Sequence, residues 1–230
     1  MLKKVVVGGN MYQGWITHTH SHLAGECPHK CSYCYVQKNR FGVSPRYQGH
    51  LRLIEDEFKV DYGSGKTIFI EHMNDLFSKE VDYEWIERIL LHCSKSPDSK
   101  YVFQSKNPQR AAELLPCGVK DYMFGTTIET NRMYPNISKA PFPTDRFSGM
   151  FLFRGKAETF ITIEPILDFD VIPFVENIVR AKPSFINIGA DSKGCHLPEP
   201  TAHKVKEFVV KLQEFGIEIR KKSNLGRLLK

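Results

Sequence analysis

No window of the 230-residue chain approaches the roughly 20 consecutive apolar residues that a membrane helix requires, which argues against a spanning segment. The opening MLKKVVVGGNMYQGW carries a basic pair but too short an apolar run for a secretory signal, so a cytoplasmic protein is expected. Internal repeats, low-complexity tracts and linker-like composition are missing as well. A single domain over 1–230 follows, with 1–14 as an N-terminal extension and 217–230 as a basic C-terminal segment. A second pair of closely spaced cysteines is missing too: Cys93, Cys117 and Cys195 each stand alone. In a reducing compartment the six cysteines are expected as thiols or metal ligands rather than disulfides. Acidic excess is absent, and the formal net charge of +6 suits a polyanionic partner or merely a solvated surface.

What the chain does have is a short apolar run every few dozen residues. Strands are predicted over Trp15–His20, Thr67–Glu71, Tyr101–Gln104, Tyr122–Ile128, Thr159–Ile163 and Phe185–Gly189, β-branched or aromatic-rich and of a length suited to buried parallel strands. Helical patterns lie between them. VDYEWIERILLHCSK places Trp85, Ile89, Leu90 and Cys93 on one face, PFVENIVRAK and TAHKVKEFVVKLQEFG behave similarly, and Pro108 suits a first helical turn. This alternation predicts a βα-repeat, either a barrel or a doubly wound sheet. The segment MYPNISKAPFPTDRFSG, with Pro135, Pro141 and Pro143, reads as a long loop between the fourth and fifth strands, a lid or an ordinary excursion.

The densest chemistry is GECPHKCSYCYV, with Cys27, Cys31 and Cys34 on one loop. Three thiolates can hold three corners of a cubane iron–sulfur cluster and leave the fourth iron open. A Cys3His zinc site is the alternative, with His18, His20, His22 and His29 nearby, although structural zinc sites usually pair their ligands across two segments. The loop follows the first strand, hence the carboxyl-end mouth where βα-folds keep their chemistry.

With Tyr33 directly before the third cysteine, the loop resembles the cluster motif of the radical S-adenosylmethionine (SAM) superfamily. EHMNDLF, FQSKNPQR, GTTIET, ITIEPIL and INIGADS further resemble a phage-associated branch of that superfamily related to spore photoproduct lyase, from about Trp15 to the C-terminus. The sequence departs from that branch at Glu71-His72 and Ala190-Asp191. The resemblance implies a partial (β/α)6 barrel, a 4Fe-4S cluster on Cys27, Cys31 and Cys34, and SAM chelated to the open iron. It also implies one-electron cleavage of SAM to methionine and a 5′-deoxyadenosyl radical, with a flavodoxin- or ferredoxin-like electron donor as partner.

Carried over by position, Tyr33 lies by the adenine and Lys106 pairs with the methionyl carboxylate. His72, Asn74 and Asp75 approach the methionyl amine, Asp75 foremost because an ammonium calls for a carboxylate. Thr127 and Glu129 suit the ribose hydroxyls. Glu164 and Asp191, carboxylates ending the fifth and sixth strands, are expected in substrate or supporting roles, and Cys195 as a hydrogen-atom donor. His18 and His20 share a face, either lining the cavity or packed as neutral core imidazoles. The implied substrate is a nucleobase, nucleotide or modified DNA, with Arg220, Lys221, Lys222 and Arg227 as phosphate contacts on a final strand beside the last parallel one. The alternatives are a peptide or small metabolite, or a zinc-stapled nucleic-acid-binding protein without catalysis.

Overall fold

The computed structural model describes residues 2–5 and 14–230, so most of the expected extension over 1–14 lies outside the described residues. Strands run over Lys3–Lys4 (β1), His18–His20 (β2), Leu23–Ala24 (β3), Arg52–Leu53 (β4), Thr67–Ile70 (β5), Lys100–Gln104 (β6), Tyr122–Thr127 (β7), Glu158–Ile163 (β8), Phe185–Ile188 (β9) and Glu218–Lys221 (β10). The α-helices are Tyr83–Ser94 (α1), Pro108–Leu114 (α2), Pro143–Phe151 (α3), Val171–Ala181 (α4) and Ala202–Glu214 (α5). The main sheet has the order β1-β2-β5-β6-β7-β8-β9-β10; every pair in it is parallel except β1 with β2. All six expected strands form, and β10 pairs in parallel with β9 as the final strand.

The five central parallel strands, β5 to β9, are apolar on both faces. Ile68, Ile70, Tyr101, Phe103, Phe124, Ile161, Ile163, Ile186 and Ile188 pack against the helices, whereas Phe69, Val102, Met123, Phe160 and Phe185 form a second cluster on the other face. Fully burying such a side chain stabilises by about 1.5–3 kcal/mol, so two-sided burial rather than strand propensity holds these short strands. The sheet curls around the second cluster. Trp15, just before β2, reaches Phe160 on β8 and Phe185 on β9, with ring centroids 5.5 and 5.4 Å apart. Gly125 on β7 leaves room for this floor, since a Cβ there would fall inside the Phe160 ring. Above the floor the inward residues turn polar: Gln104 donates to Thr127 (2.8 Å) and Asn187 to Thr162 (3.3 Å).

Two features differ from the sequence reading. The proline-rich segment is not loop throughout: Pro143 occupies the first turn of α3, where its missing N–H costs nothing. The connection from β2 to β5 contains no α-helix; the antiparallel pair β3–β4 and short 3-10 turns span it. That connection carries the cysteine loop.

Candidate functional site

The loop leaves β3 through Gly25, whose φ of +91° and contact with the His50 carbonyl leave no room for a side chain. Backbone bonds from Gly25 N–H to Arg46 (2.7 Å) and from Glu26 N–H to Gly49 (2.9 Å) tie its start to the following segment. Its far side is held by residues 137–139: Ser32 N–H donates to Ile137 (2.8 Å), Lys139 N–H to His29 (2.7 Å), and Ser138 Oγ lies 3.1 Å from Cys31 Sγ. Part of the proline-rich segment, read from sequence as a lid or an ordinary excursion, is thus the outer wall of the cysteine loop. Cys27, Cys31 and Cys34 are free thiols, and all three line a cavity of about 430 Å³ at the carboxyl ends of the strands. Burial, reinforced by Asp75, pushes the Cys27 thiol up.

Four of the expected contact residues meet in one charged knot. Lys106 Nζ lies 2.6 Å from Glu129 Oε1 and 3.4 Å from Cys31 Sγ, and it also donates to the Tyr33 hydroxyl. Tyr33 donates in turn to Glu129. Arg146, on α3, donates to the other Glu129 oxygen (2.6 Å) and to the Thr127 carbonyl (2.8 Å). Burial alone would raise the Glu129 carboxyl, but Arg146 and Lys106 outweigh it and hold Glu129 well below the usual carboxylate range. Burial likewise works against the Lys106 ammonium, and Cys31 and Glu129 overcome it. Sequence reasoning missed Arg146, because it read its helix as loop.

Asp75 is buried and fully engaged. Its Oδ1 accepts from Ser105 Oγ (2.6 Å) and Phe77 N–H (3.1 Å); its Oδ2 faces His29 Nε2 (2.8 Å) and accepts from Lys106 N–H (2.8 Å). Those bonds fill the four acceptor positions of a carboxylate. Asp75 therefore pins the loop and the β6 turn together. Asn74 is similarly committed, donating to the Gly25 carbonyl (3.1 Å). His72 lines the cavity; burial, then Lys3 and Arg46, push it down to about 4, so it is neutral at physiological pH.

At the far wall, Glu164 is bonded by Lys222 and by Asn224 Nδ2 (3.3 Å), and Gly189 is bare because a Cβ would strike the Glu164 carboxylate. Asp191 lines the cavity while its oxygens accept from the N–H of Lys193 (2.8 Å) and of Cys195. Cys195 itself is not among the residues that line the cavity, although Asp191, Ser192 and Lys193 are. His18 and His20 do not line it either: His18 bonds Thr17 Oγ1 (2.8 Å) and His20 is buried behind it. Of the tail cations, Lys222 pairs with Glu164, Arg227 with Glu199, and Arg220 with Glu218 while covering Phe185 at 3.4 Å. Of the zinc-ligand histidines, His22 faces Glu71 and His29 faces Asp75. Among the described residues no three His, Cys, Asp or Glu side chains converge on one ion.

No protein-family model matches the chain, and no curated protein does. Solved structures share its fold. A Cys-to-Ser variant of spore photoproduct lyase superposes with a TM-score of 0.63 over 95% of this chain and 80% of that one, at 10% identity. Spore photoproduct lyase complexed with dinucleoside spore photoproduct gives 0.63 over 90% and 76%, at 11% identity. SuiB of Streptococcus suis bound to the precursor peptide SuiA gives 0.60 over 89% and 48%, at 10% identity.

Proposed function

We propose that the chain is a radical SAM enzyme acting on a nucleobase, nucleotide or modified DNA, with a flavodoxin- or ferredoxin-like electron donor. The observation that carries this reading is the convergence of three free thiols from one loop on the 430 Å³ cavity at the strand carboxyl ends. The donor set fits a 4Fe-4S cluster. Soft thiolates from one loop supply three corners and leave the fourth iron open for a cofactor. Bound there, the cluster and SAM supply one-electron cleavage of the sulfonium and hydrogen-atom abstraction from substrate.

The chain's own residues then bind and orient. Lys106, 3.4 Å from Cys31 Sγ, offsets thiolate charge and is placed to reach the methionyl carboxylate. Glu129 and Thr127 offer acceptors to ribose hydroxyls, with Glu129 kept ionised by Arg146 and Lys106. Tyr33 presents its ring to the adenine. Asn74 and Asp75 hold the turn that brings His72 to the methionyl end. Glu164, Lys222 and Asp191 give the substrate end a polar wall, while Phe69 closes the floor against water.

A cavity of about 430 Å³ shared with SAM admits one extruded or unpaired base, not a duplex. The net charge of +6 and the dinucleoside complex of spore photoproduct lyase support the nucleic-acid version; the SuiA complex of SuiB favours a peptide as the second reading. The test is anaerobic reconstitution with iron and sulfide. Brown protein that cleaves SAM is expected, with both properties lost in Cys27→Ala, Cys31→Ala or Cys34→Ala and iron content retained in Cys93→Ala. Colourless protein retaining zinc refutes the proposal.

A further inference from the structure

From Glu71 in the cavity wall inward, three segments bring titratable groups into one line. His22 follows β2 and is fully buried; Glu71 follows β5, and His92 lies on α1. His22 Nδ1 is 3.1 Å from Glu71 Oε1, and His22 Nε2 is 2.7 Å from His92 Nδ1. His92 Nε2 is 3.0 Å from the Val60 carbonyl. Glu71 also accepts the backbone N–H of His22 and of Leu23 (3.2 Å), while its own backbone is left-handed at φ +58°.

Counting hydrogens along this line gives a definite result. A carbonyl only accepts, so His92 Nε2 carries a hydrogen. Neutral His92 then presents a bare Nδ1, and the 2.7 Å contact requires a hydrogen on His22 Nε2. Neutral His22 in turn presents a bare Nδ1 to Glu71, and that contact requires a protonated carboxyl. A carboxylate with two neutral imidazoles leaves lone pairs facing each other somewhere in the line. A metal ion is the other way to bridge two nitrogens, but no third ligand converges there among the described residues.

The surroundings decide where the proton sits. His20 packs edge-on against His22 at 4.6 Å, the Tyr62 hydroxyl lies 3.2 Å from His22 Nε2, and Arg46 and Arg88 act on His22 from other segments. Lys95 and Asp61 act on His92, and Arg46 and Cys93 flank Glu71. Burial, helped by the two arginines, pushes His22 down to about 3, and burial pushes Glu71 up to about 7.

We infer that at pH 6 Glu71 is a neutral carboxylic acid donating to His22, at the head of a one-way chain through His92 to the Val60 carbonyl. This chain is the positioning device for the turn that carries His72, Asn74 and Asp75 to the cavity. Its purpose is geometric: the left-handed Glu71 re-aims the chain after β5, and its carboxyl fixes that turn to the backbone after β2. Removing the proton sets lone pairs against each other, and the turn loosens.

The full chain, without iron or SAM, is the sample. At pH 6, ¹⁵N-histidine spectra should show His22 and His92 both as Nε2–H tautomers, and the infrared spectrum a protonated carboxyl band that Glu71→Gln removes. Between pH 6 and 8, amide exchange at His22 and Leu23 should accelerate by about tenfold beyond the intrinsic rise and then level off, because pH 6 lies one unit below the Glu71 value and the ionised fraction saturates above it. Glu71→Gln keeps a donor that does not titrate, so its protection should match at pH 6 and lose that extra acceleration. An imidazolium at His22, a carboxyl spectrum indifferent to Glu71→Gln, or a metal retained between His22 and His92 overturns the inference. The histidine spectra of the unsubstituted chain decide it even where the variant fails to fold.

Discussion

Lys106→Met and Glu129→Gln, singly and together, probe the charged knot beside Cys31. Glu129 is 5% exposed and has two cations, Lys106 at 2.6 Å and Arg146 at 2.6 Å, themselves 14% and 4% exposed. At an effective dielectric of about 20, each contact is worth roughly 6 kcal/mol of gross attraction, opposed by several kcal/mol of desolvation per ion. Removing Lys106 leaves Glu129 with Arg146, so the loss is that of charge-assisted hydrogen bonds, about 1.5–3 kcal/mol. Removing the Glu129 charge leaves two buried cations unanswered and should cost more, about 3–5 kcal/mol. Urea unfolding of the metal-free chain at pH 7 measures both, and the double variant should show a coupling of about 1.5–3 kcal/mol. Because Glu129 is held below its unfolded value, its stabilisation is present above the unfolded carboxylate range and lost as pH falls through the folded value. The difference between the unsubstituted chain and Glu129→Gln should therefore be full at pH 7 and shrink in acid. Additive losses, with coupling under about 0.5 kcal/mol, refute the reasoning.

Two further outcomes follow from the core. Burial pushes His20, His22 and His92 down to about 2, about 3 and about 4, while Glu71 is raised to about 7. Between about pH 4.5 and 6.5 the unfolded chain binds three of these protons and the folded chain one, so stability should rise by about 2–3 kcal/mol per pH unit; a flat profile from urea titrations excludes neutral histidines. Gly125→Ala drives a methyl into the Phe160 ring and should cost about 1–3 kcal/mol in thermal or urea unfolding, whereas a neutral substitution means the floor is looser than its packing indicates.

The strands were legible because each is a short β-branched or aromatic run buried on two faces, a signal that needs no partner to be recognised. β10 was legible for the opposite reason, its alternation in GIEIR. α3 was not, since three prolines outweigh a helical pattern until Pro143 is known to sit in the first turn, where proline is tolerated. The thiol loop was readable from spacing alone. The roles of its neighbours were not: Asp75 is spent on His29, Ser105 and two backbone groups, and Lys222 on Glu164, pairings that local sequence does not encode. The Glu71–His22–His92 line spans 70 residues between its imidazoles and had no linear signature.

The bonding of residues 137–139 across the cysteine loop has a consequence for synthesis. Cys31 leaves the ribosome 107 residues ahead of Ser138, its neighbour in the finished fold. At about 5–20 residues per second that interval is roughly 5–20 s, during which the three thiols are made but their outer wall is not. A nascent chain halted before Ile137 presents these cysteines to oxidants and metal ions without the segment that frames them. Order of manufacture, and not only final geometry, thus sets when the thiols become enclosed.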